Sequence, residues 1–157
     1  MQTEISSVGI ATLIERAARI VHSLGYAEGL YPAQWVALRY FSEAPPSNRT
    51  TAALAHYQGM GLGPVARTVR TLVDKGLLAR AANPASRRAD LIAVTATGKA
   101  LLNSDPQNAI AAVVETMPAE HRVALATALE VLVPTLYAQQ VSEADATAED
   151  DIGEARE

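Results

Sequence analysis

The feature that most constrains this chain is a glycine-rich run at positions 59–63 between two short apolar patterns. Glycine permits tight turns and weakens helices, so the run predicts a turn between a helix over residues 50–58 and another over residues 62–75. In the second helix the apolar residues recur at intervals of three and four, which is the spacing of one buried helix face. Gly76 is then expected to end that helix.

A β-hairpin is predicted directly after this pair of helices. Residues 77–80 and 90–94 favour strands, and residues 82–89 between them favour a turn-rich tip, with Asn83-Pro84 supplying the turn. The order of short helix, tight turn, helix and two-stranded hairpin is that of a winged helix-turn-helix. The sequence therefore predicts a mainly α fold with a small β-hairpin wing.

Further helices are predicted before this arrangement. Thr3 is expected to cap a helix over residues 4–24, and a second helix is expected to begin at Pro32 and to end near residue 43. Either Ser47 or Asn48 can cap the short helix that follows.

The pattern of helices continues after the hairpin. Thr95 is expected to cap a helix that residues 104–106 interrupt, and a last helix follows Pro118 and bends at Pro134. From residue 141 onward the chain has seven acidic residues and almost no large apolar ones. Burial there cannot offset the entropy of ordering, so we expect a disordered acidic tail.

Basic residues are concentrated in the middle of the chain. Residues 49–99 contain eight basic and two acidic side chains, a net charge of +6, so the remainder carries −10 within a total of −4. Such asymmetry is expected when one face of a protein meets phosphate. Arginines and threonines lie off the apolar face of the predicted 62–75 helix, where they can reach base edges, and two further arginines lie near the hairpin tip. The predicted DNA-binding residues are Arg49, Gly63, Arg67, Thr68, Arg70, Thr71, Lys75, Arg87 and Arg88.

The segments PVARTVRTLVDKGLLAR, NPASRRADLIAVTATG and PAQWVALRYF resemble the multiple-antibiotic-resistance regulator (MarR) family. The resemblance covers roughly residues 10–138. It implies a ligand-responsive homodimeric repressor that binds a palindromic operator in double-stranded DNA, with dimerisation helices at both ends of the chain. The implied divisions are an N-terminal dimerisation helix in 1–30, the DNA-binding lobe in 31–95, C-terminal dimerisation helices in 96–140 and the acidic tail in 141–157.

Three positions depart from the pattern of the family. Its wing arginine is usually oriented by an acidic residue two positions earlier, but here Ser86 precedes Arg88, with Asp90 as a possible substitute. Tyr31 replaces the usual Thr or Ser cap, which should cost about 1 kcal/mol locally. Pro106 interrupts a helix that is commonly long, so the shape of the dimer is expected to differ.

The resemblance also implies a small-molecule effector, often aromatic or anionic, bound between the dimerisation helices and the DNA-binding lobe. In this chain the effector site would draw on Arg16, Trp35, Arg39 and Tyr40. The favoured interpretation of Trp35 is nevertheless that of a core residue, because its neighbours follow the apolar pattern of a buried helix face.

The composition excludes several other classes of protein. The chain has no cysteine, and its three histidines, His22, His56 and His121, have no partner at metal-ligand spacing, so neither a metal nor a cofactor is expected. No signal peptide or membrane segment is apparent, which indicates a cytoplasmic protein. The glycine run lacks the third glycine of a dinucleotide fingerprint, and no nucleophile elbow indicates an enzyme. The alternative is a winged-helix protein-interaction module that has lost DNA binding.

Overall fold

The computed structural model describes the backbone of residues 6–154 and the side chains of residues 6–140. It divides into two compact units, Met1–Ala111 and Ala112–Glu157. Its elements are α1 (Ser7–Leu24), α2 (Pro32–Glu43), a 3₁₀ turn (Pro46–Asn48), α3 (Thr51–Gln58), α4 (Leu62–Asp74), β1 (Leu78–Asn83), β2 (Ser86–Val94), α5 (Ala96–Leu101), a second 3₁₀ turn (Leu102–Ser104), α6 (Gln107–Glu115) and α7 (Ala119–Glu154). The mainly helical fold with an antiparallel hairpin is confirmed.

Two helices begin at caps other than the predicted ones. The Ser6 side chain accepts a hydrogen bond from the Gly9 amide at the start of α1, whereas Thr3 lies outside the described residues. At α3 the cap is Thr50, whose hydroxyl accepts from the Ala53 amide. Neither Ser47 nor Asn48 is this cap, because the prolines before them begin a separate 3₁₀ turn.

Helix α2 begins at Pro32 as predicted, and Tyr31 supplies no side-chain cap. The backbone amide of Tyr31 instead donates to Oε1 of Gln34 at 3.0 Å. This is the returning half of a capping box, and it satisfies one backbone donor that the cap residue would otherwise leave to solvent. The weak cap that the sequence predicted is therefore partly compensated by a buried glutamine three residues later.

The core of the first unit lies between α2, α3, α4 and the base of the hairpin. The side chains of α2 and α4 that face each other are almost completely buried, and β2 contributes one buried residue from the hairpin. The core residues are Leu30, Trp35, Ala37, Leu38, Phe41, Leu54, Ala55, Val65, Val69, Leu72, Leu77, Leu78 and Ile92. This packing fixes which side of α4 is left exposed.

The end of α4, the first strand and the start of α5 meet at Thr95. Its hydroxyl donates to the Gly76 carbonyl at 2.7 Å and accepts from the Gly98 amide, which confirms Thr95 as the cap of α5. Gly76 has φ +71°, a conformation that glycine adopts readily. A Cβ on Gly98 would lie 2.3 Å from the Leu77 carbonyl oxygen. Glycine is therefore required at position 98 by the close approach of the backbone.

We expect Gly98→Ala to lower the free energy of unfolding by about 2 kcal/mol, because the added methyl group displaces backbone rather than a flexible side chain. Urea unfolding measures this change. Gly63→Ala is the matched control, since a Cβ there meets nothing within 4 Å. Alanine at position 63 should stabilise the helix slightly. Equal effects of the two substitutions would contradict the interpretation of Gly98.

A buried ion pair joins α2 to the start of α6. Nη1 of Arg39 lies 2.7 Å from Oδ1 of Asp105, whose side chain is 5% exposed. The same carboxylate oxygen accepts from the Gln107 amide at 2.8 Å. The predicted interruption at residues 104–106 is thus present, and the aspartate within it holds the two helices together.

We expect Arg39→Met to destabilise the protein by about 3 kcal/mol, because it leaves the carboxylate of Asp105 buried without its cation. Thermal or urea unfolding at fixed protein concentration measures the loss. The control is Arg19→Met, which breaks an ion pair to Glu15 whose side chains are 71% and 68% exposed. That pair should contribute less than about 0.5 kcal/mol. Similar losses for both variants would refute the assigned role of Asp105.

The second unit consists of the end of α6 and the long helix α7. Pro134 lies inside α7, whose backbone continues to Glu154. The helix therefore extends through residues for which composition predicted disorder. Alanine and glutamate, which recur there, have high helix propensity, whereas the prediction of disorder rests on the scarcity of large apolar residues. Residues 155–157 lie outside the described part.

Candidate nucleic-acid interface and adjoining cavities

Helix α4 has one buried and one basic face. Val65, Val69 and Leu72 are buried, while Arg67 and Arg70 are exposed. Neither arginine forms a salt bridge with any side chain that the structure describes. Both guanidinium groups are therefore available to an external acceptor, as the sequence predicted.

The threonines beside these arginines already donate their hydroxyl hydrogens. Oγ1 of Thr68 donates to the Pro64 carbonyl at 3.3 Å, and Oγ1 of Thr71 donates to the Arg67 carbonyl at 3.0 Å. Both side chains are half-buried. In this state each hydroxyl can act toward a ligand as an acceptor or as a methyl contact, but its donor is used within the helix.

The first turn of α4 is open. Gly61 is its N-cap and supplies no side-chain hydrogen bond, so the leading backbone amides are not satisfied by a cap. Gly63 lies in this turn, and it is exposed. Amides at such a helix start can donate to an anion such as a phosphate.

The hairpin is longer and tighter than the sequence predicted. Its strands extend to Asn83 and from Ser86, so the tip is Pro84-Ala85 rather than all of residues 82–89. Oδ1 of Asn83 accepts from the Ala85 amide at 3.0 Å, which confirms the predicted turn. The error has a simple cause: polar and small residues favour turns, but cross-strand pairing extended both strands through them.

The two wing arginines lie in an irregular part of the hairpin. Regular pairing runs from Leu78 with Val94 to Ala81 with Leu91, and resumes where Asn83 pairs with Ser86. One residue of β1 is therefore opposite residues 87–90 of β2. Bulged segments change the direction of side chains locally, and this one contains both arginines.

Asp90 is not the partner of Arg88. Its Oδ2 lies 3.5 Å from Nη1 of Arg80 on the opposite strand. The backbone amide of Arg88 donates to the hydroxyl of Ser86 at 3.2 Å. The prediction that Asp90 orients Arg88 in place of the missing acidic residue is therefore wrong. Arg80 was not among the predicted site residues. The partner could not be identified without the cross-strand register.

A groove of about 350 Å³ lies between the start of α4, the start of α3 and the wing. It brings the wing arginines together with the N-terminal half of α4, although they are far apart in sequence. The groove is lined by Thr51, Ala52, Leu62, Ala66, Arg80, Arg87, Arg88, Ala89 and Asp90.

Two other predicted basic residues hold the fold together. Nε of Arg49 donates to the Ala44 carbonyl at 2.8 Å, and its own carbonyl accepts from the Ile92 amide at 2.7 Å. Arg49 therefore fixes the hairpin to the loop after α2. Nζ of Lys75 donates to the Gly29 carbonyl at 3.1 Å, at the far end of α4 from the groove. Direct DNA contacts of these two residues stay predictions.

A largely apolar cavity of about 490 Å³ lies between α1, α2 and the start of α6. Trp35 and Arg39, two of the four residues predicted to contact an effector, contribute to its lining. Nε1 of Trp35 is buried and has no hydrogen-bond partner among the residues that the structure describes. Arg16 does not line this cavity, and sequence analysis missed most of its members because they come from separate helices. The lining residues are Ala18, Val21, His22, Gly25, Pro32, Trp35, Val36, Arg39, Pro106, Gln107 and Ile110.

Tyr40 lines a second cavity, of about 390 Å³, on which Arg39 also borders. Its hydroxyl donates to the Asn48 carbonyl at 2.9 Å, and its ring lies 5.0 Å from that of Tyr57. Burial raises the pKa of the Tyr40 hydroxyl, and the neighbouring Tyr57 raises it further. Tyr40 is therefore a neutral hydrogen-bond donor at ordinary pH, separate from the first cavity.

Two classes of feature are not found in the described residues. No helix among them is both long and apolar enough to cross a bilayer. No cluster of three or more histidine or acidic side chains among them could hold a metal ion.

Comparison with known proteins gives one family and many related folds. Residues 28–89 match the MarR family model. No curated protein sequence matches this chain. A probable transcriptional regulator from Pseudomonas aeruginosa is 24% identical, with a TM-score of 0.64 over 78% of this chain and 96% of that one.

Two further solved structures have similar folds. A MarR family transcriptional regulator from Streptomyces coelicolor, solved with DNA, is 18% identical, with a TM-score of 0.68 over 81% of this chain and 85% of that one. BpsR of Bordetella bronchiseptica, whose DNA binding is regulated by 6-hydroxynicotinic acid, is 20% identical, with a TM-score of 0.62 over 79% of this chain and 98% of that one. The resemblance to the MarR family that the sequence indicates is therefore confirmed for residues 28–89, the winged-helix segment that matches the family model.

Proposed function

We propose that this protein is a sequence-specific, double-stranded DNA-binding transcriptional regulator rather than an enzyme. The observation that carries the proposal is the groove between α4 and the wing. Two of its arginines, Arg87 and Arg88, adjoin a helix whose exposed face presents Arg67 and Arg70. All four guanidinium groups are free of ion pairs with described side chains.

The dimensions of these elements suit B-DNA. An α-helix with its side chains fits the major groove, where the fork of an arginine matches two acceptors of guanine. With α4 in the major groove, the hairpin extends toward the adjacent minor groove, whose negative potential attracts arginine. Arg67 and Arg70 would then read bases, while the wing arginines mainly contribute attraction to phosphate.

We propose a homodimer that acts as a repressor on a palindromic operator. Support for the dimer comes from exposed apolar rows on two helices, since large apolar patches mark interaction surfaces. None of the residues of α1 is buried. In α1 the exposed row is Val8, Ile10, Leu13, Ile20, Val21 and Leu24, and in α7 it includes Val123, Leu125, Leu129, Val131, Val133, Leu136 and Tyr137. A two-fold dimer would bind two half-sites about one helical turn apart.

We further propose that a small aromatic or anionic effector occupies the cavity beside Trp35. The apolar lining suits a ring, and Arg39 offers N–H donors beyond the one that Asp105 accepts. BpsR, a related fold, responds to an aromatic ligand of this size class. Occupancy of a site on α1 and α2 can alter DNA affinity only if the ligand binds the two conformations of the protein unequally.

We expect Arg67→Ala or Arg70→Ala to lower affinity for a duplex obtained by in vitro selection by about tenfold, with little change for random duplex, because a base contact is lost. Fluorescence anisotropy across a salt series measures both affinities. Arg88→Ala should weaken binding to both duplexes similarly. Lys99→Ala is the matched control, because it removes an exposed charge outside the groove.

DNA binding by the wild-type protein distinguishes a transcriptional regulator from a winged-helix protein-interaction module. A regulator prefers the selected duplex and loses affinity steeply as salt rises. Equal, salt-independent binding to both duplexes would leave the winged-helix protein-interaction module as the better account.

We expect benzoate to change the fluorescence of Trp35, which is the single tryptophan of the chain and lines the cavity. Benzamide, its neutral isostere, should bind about tenfold more weakly because it lacks the charge-assisted contact with Arg39. Saturating benzoate should also lower affinity for the selected duplex. No fluorescence change at millimolar benzoate, or equal affinity for benzamide, would count against an anionic effector.

A further inference from the structure

A strand of phosphates always separates a major groove from the adjacent minor groove. If α4 enters the one and the wing approaches the other, the protein groove between them must lie against that strand. This step rests on the proposed function. The residues that line the groove, and not only those of α4 and the hairpin tip, are then in reach of phosphate.

We propose that Arg80 is a further phosphate-binding residue and that Asp90 positions it. Arg80 lines the groove together with Arg87 and Arg88, which makes it the third arginine there. It lies on β1, below the bulge, and its Nη1 is 3.5 Å from Oδ2 of Asp90. The acidic residue of this wing therefore acts on the opposite strand rather than on Arg88.

The exposure of this ion pair indicates that its purpose is not folding stability. The side chains of Arg80 and Asp90 are 42% and 51% exposed, and exposed pairs add little to stability. The contact nevertheless restricts the guanidinium of Arg80 to one side of the hairpin. A restrained cation loses less conformational freedom when a phosphate binds to its remaining donors.

Asp90 is also expected to oppose DNA binding directly, and this effect allows its positioning role to be measured. A carboxylate in this groove repels phosphate, so without Arg80 its removal should strengthen DNA binding. With Arg80 present, removal of Asp90 also releases the guanidinium. Repulsion of phosphate by Asp90 is present whether or not Arg80 is there, whereas positioning by Asp90 requires Arg80. Comparison of Asp90→Asn with and without Arg80 therefore separates the two effects.

The experiment measures Kd for random duplex by anisotropy over a series of KCl concentrations, for Arg80→Ala, Asp90→Asn and the double variant of the full chain. Arg80→Ala should reduce the slope of log K against log salt by about one, because one phosphate contact is lost. Arg80→Lys should keep the slope near that of the wild type. Lys99→Ala should leave the slope unchanged.

Asp90→Asn is introduced into two proteins, the wild type and Arg80→Ala, and in each the Kd after the substitution is divided by the Kd before it. This ratio should be at least about threefold larger for the wild type than for Arg80→Ala. Equal ratios would remove Asp90 as a positioning residue. An unchanged slope for Arg80→Ala, including a loss of affinity without a change in slope, would overturn the phosphate contact. Circular dichroism melting establishes that each variant is folded. If the wild-type protein shows no salt-dependent binding to DNA, the proposed function itself is wrong. That outcome differs from the two results that contradict the roles of Arg80 and Asp90.

Discussion

The rest of the candidate nucleic-acid interface depends on the burial of one side of α4. Val65, Val69 and Leu72 are removed from water against α2, which fixes the rotation of the helix about its axis. Arg67 and Arg70 are consequently on the open side without needing any contact of their own. The same burial positions the end of the helix, where Gly76 turns the chain into a hairpin whose Leu78 and Ile92 complete the core.

The helices could be predicted from the sequence because the signals for a helix are local. Pro32 and Thr95 begin helices where their residue types favour a start, and the apolar spacing of α4 predicts its buried face. Where two possible caps stood near each other, as before α3, the sequence did not identify Thr50. A proline-induced 3₁₀ turn separated the first candidates from the helix.

The contacts that shape the candidate sites join residues that are distant in the chain. Arg39 and Asp105 are 66 positions apart, and no pattern in either segment indicates the other. Arg80 and Asp90 are closer, but their contact depends on the register of the two strands, which composition does not predict. The cavity beside Trp35 likewise needs α1, α2 and α6 together. Packing and register, rather than residue type, decide these features.

The bulge also has an evolutionary consequence. The regular pairs from Leu78–Val94 to Ala81–Leu91 hold the base of the hairpin in register, independently of how many residues follow above them. Insertions or deletions among residues 82–90 would therefore leave the buried side chains of the base in place. The wing can change its length and its charged residues while the core is conserved, so the candidate interface can diverge between descendants of this protein without a loss of folding.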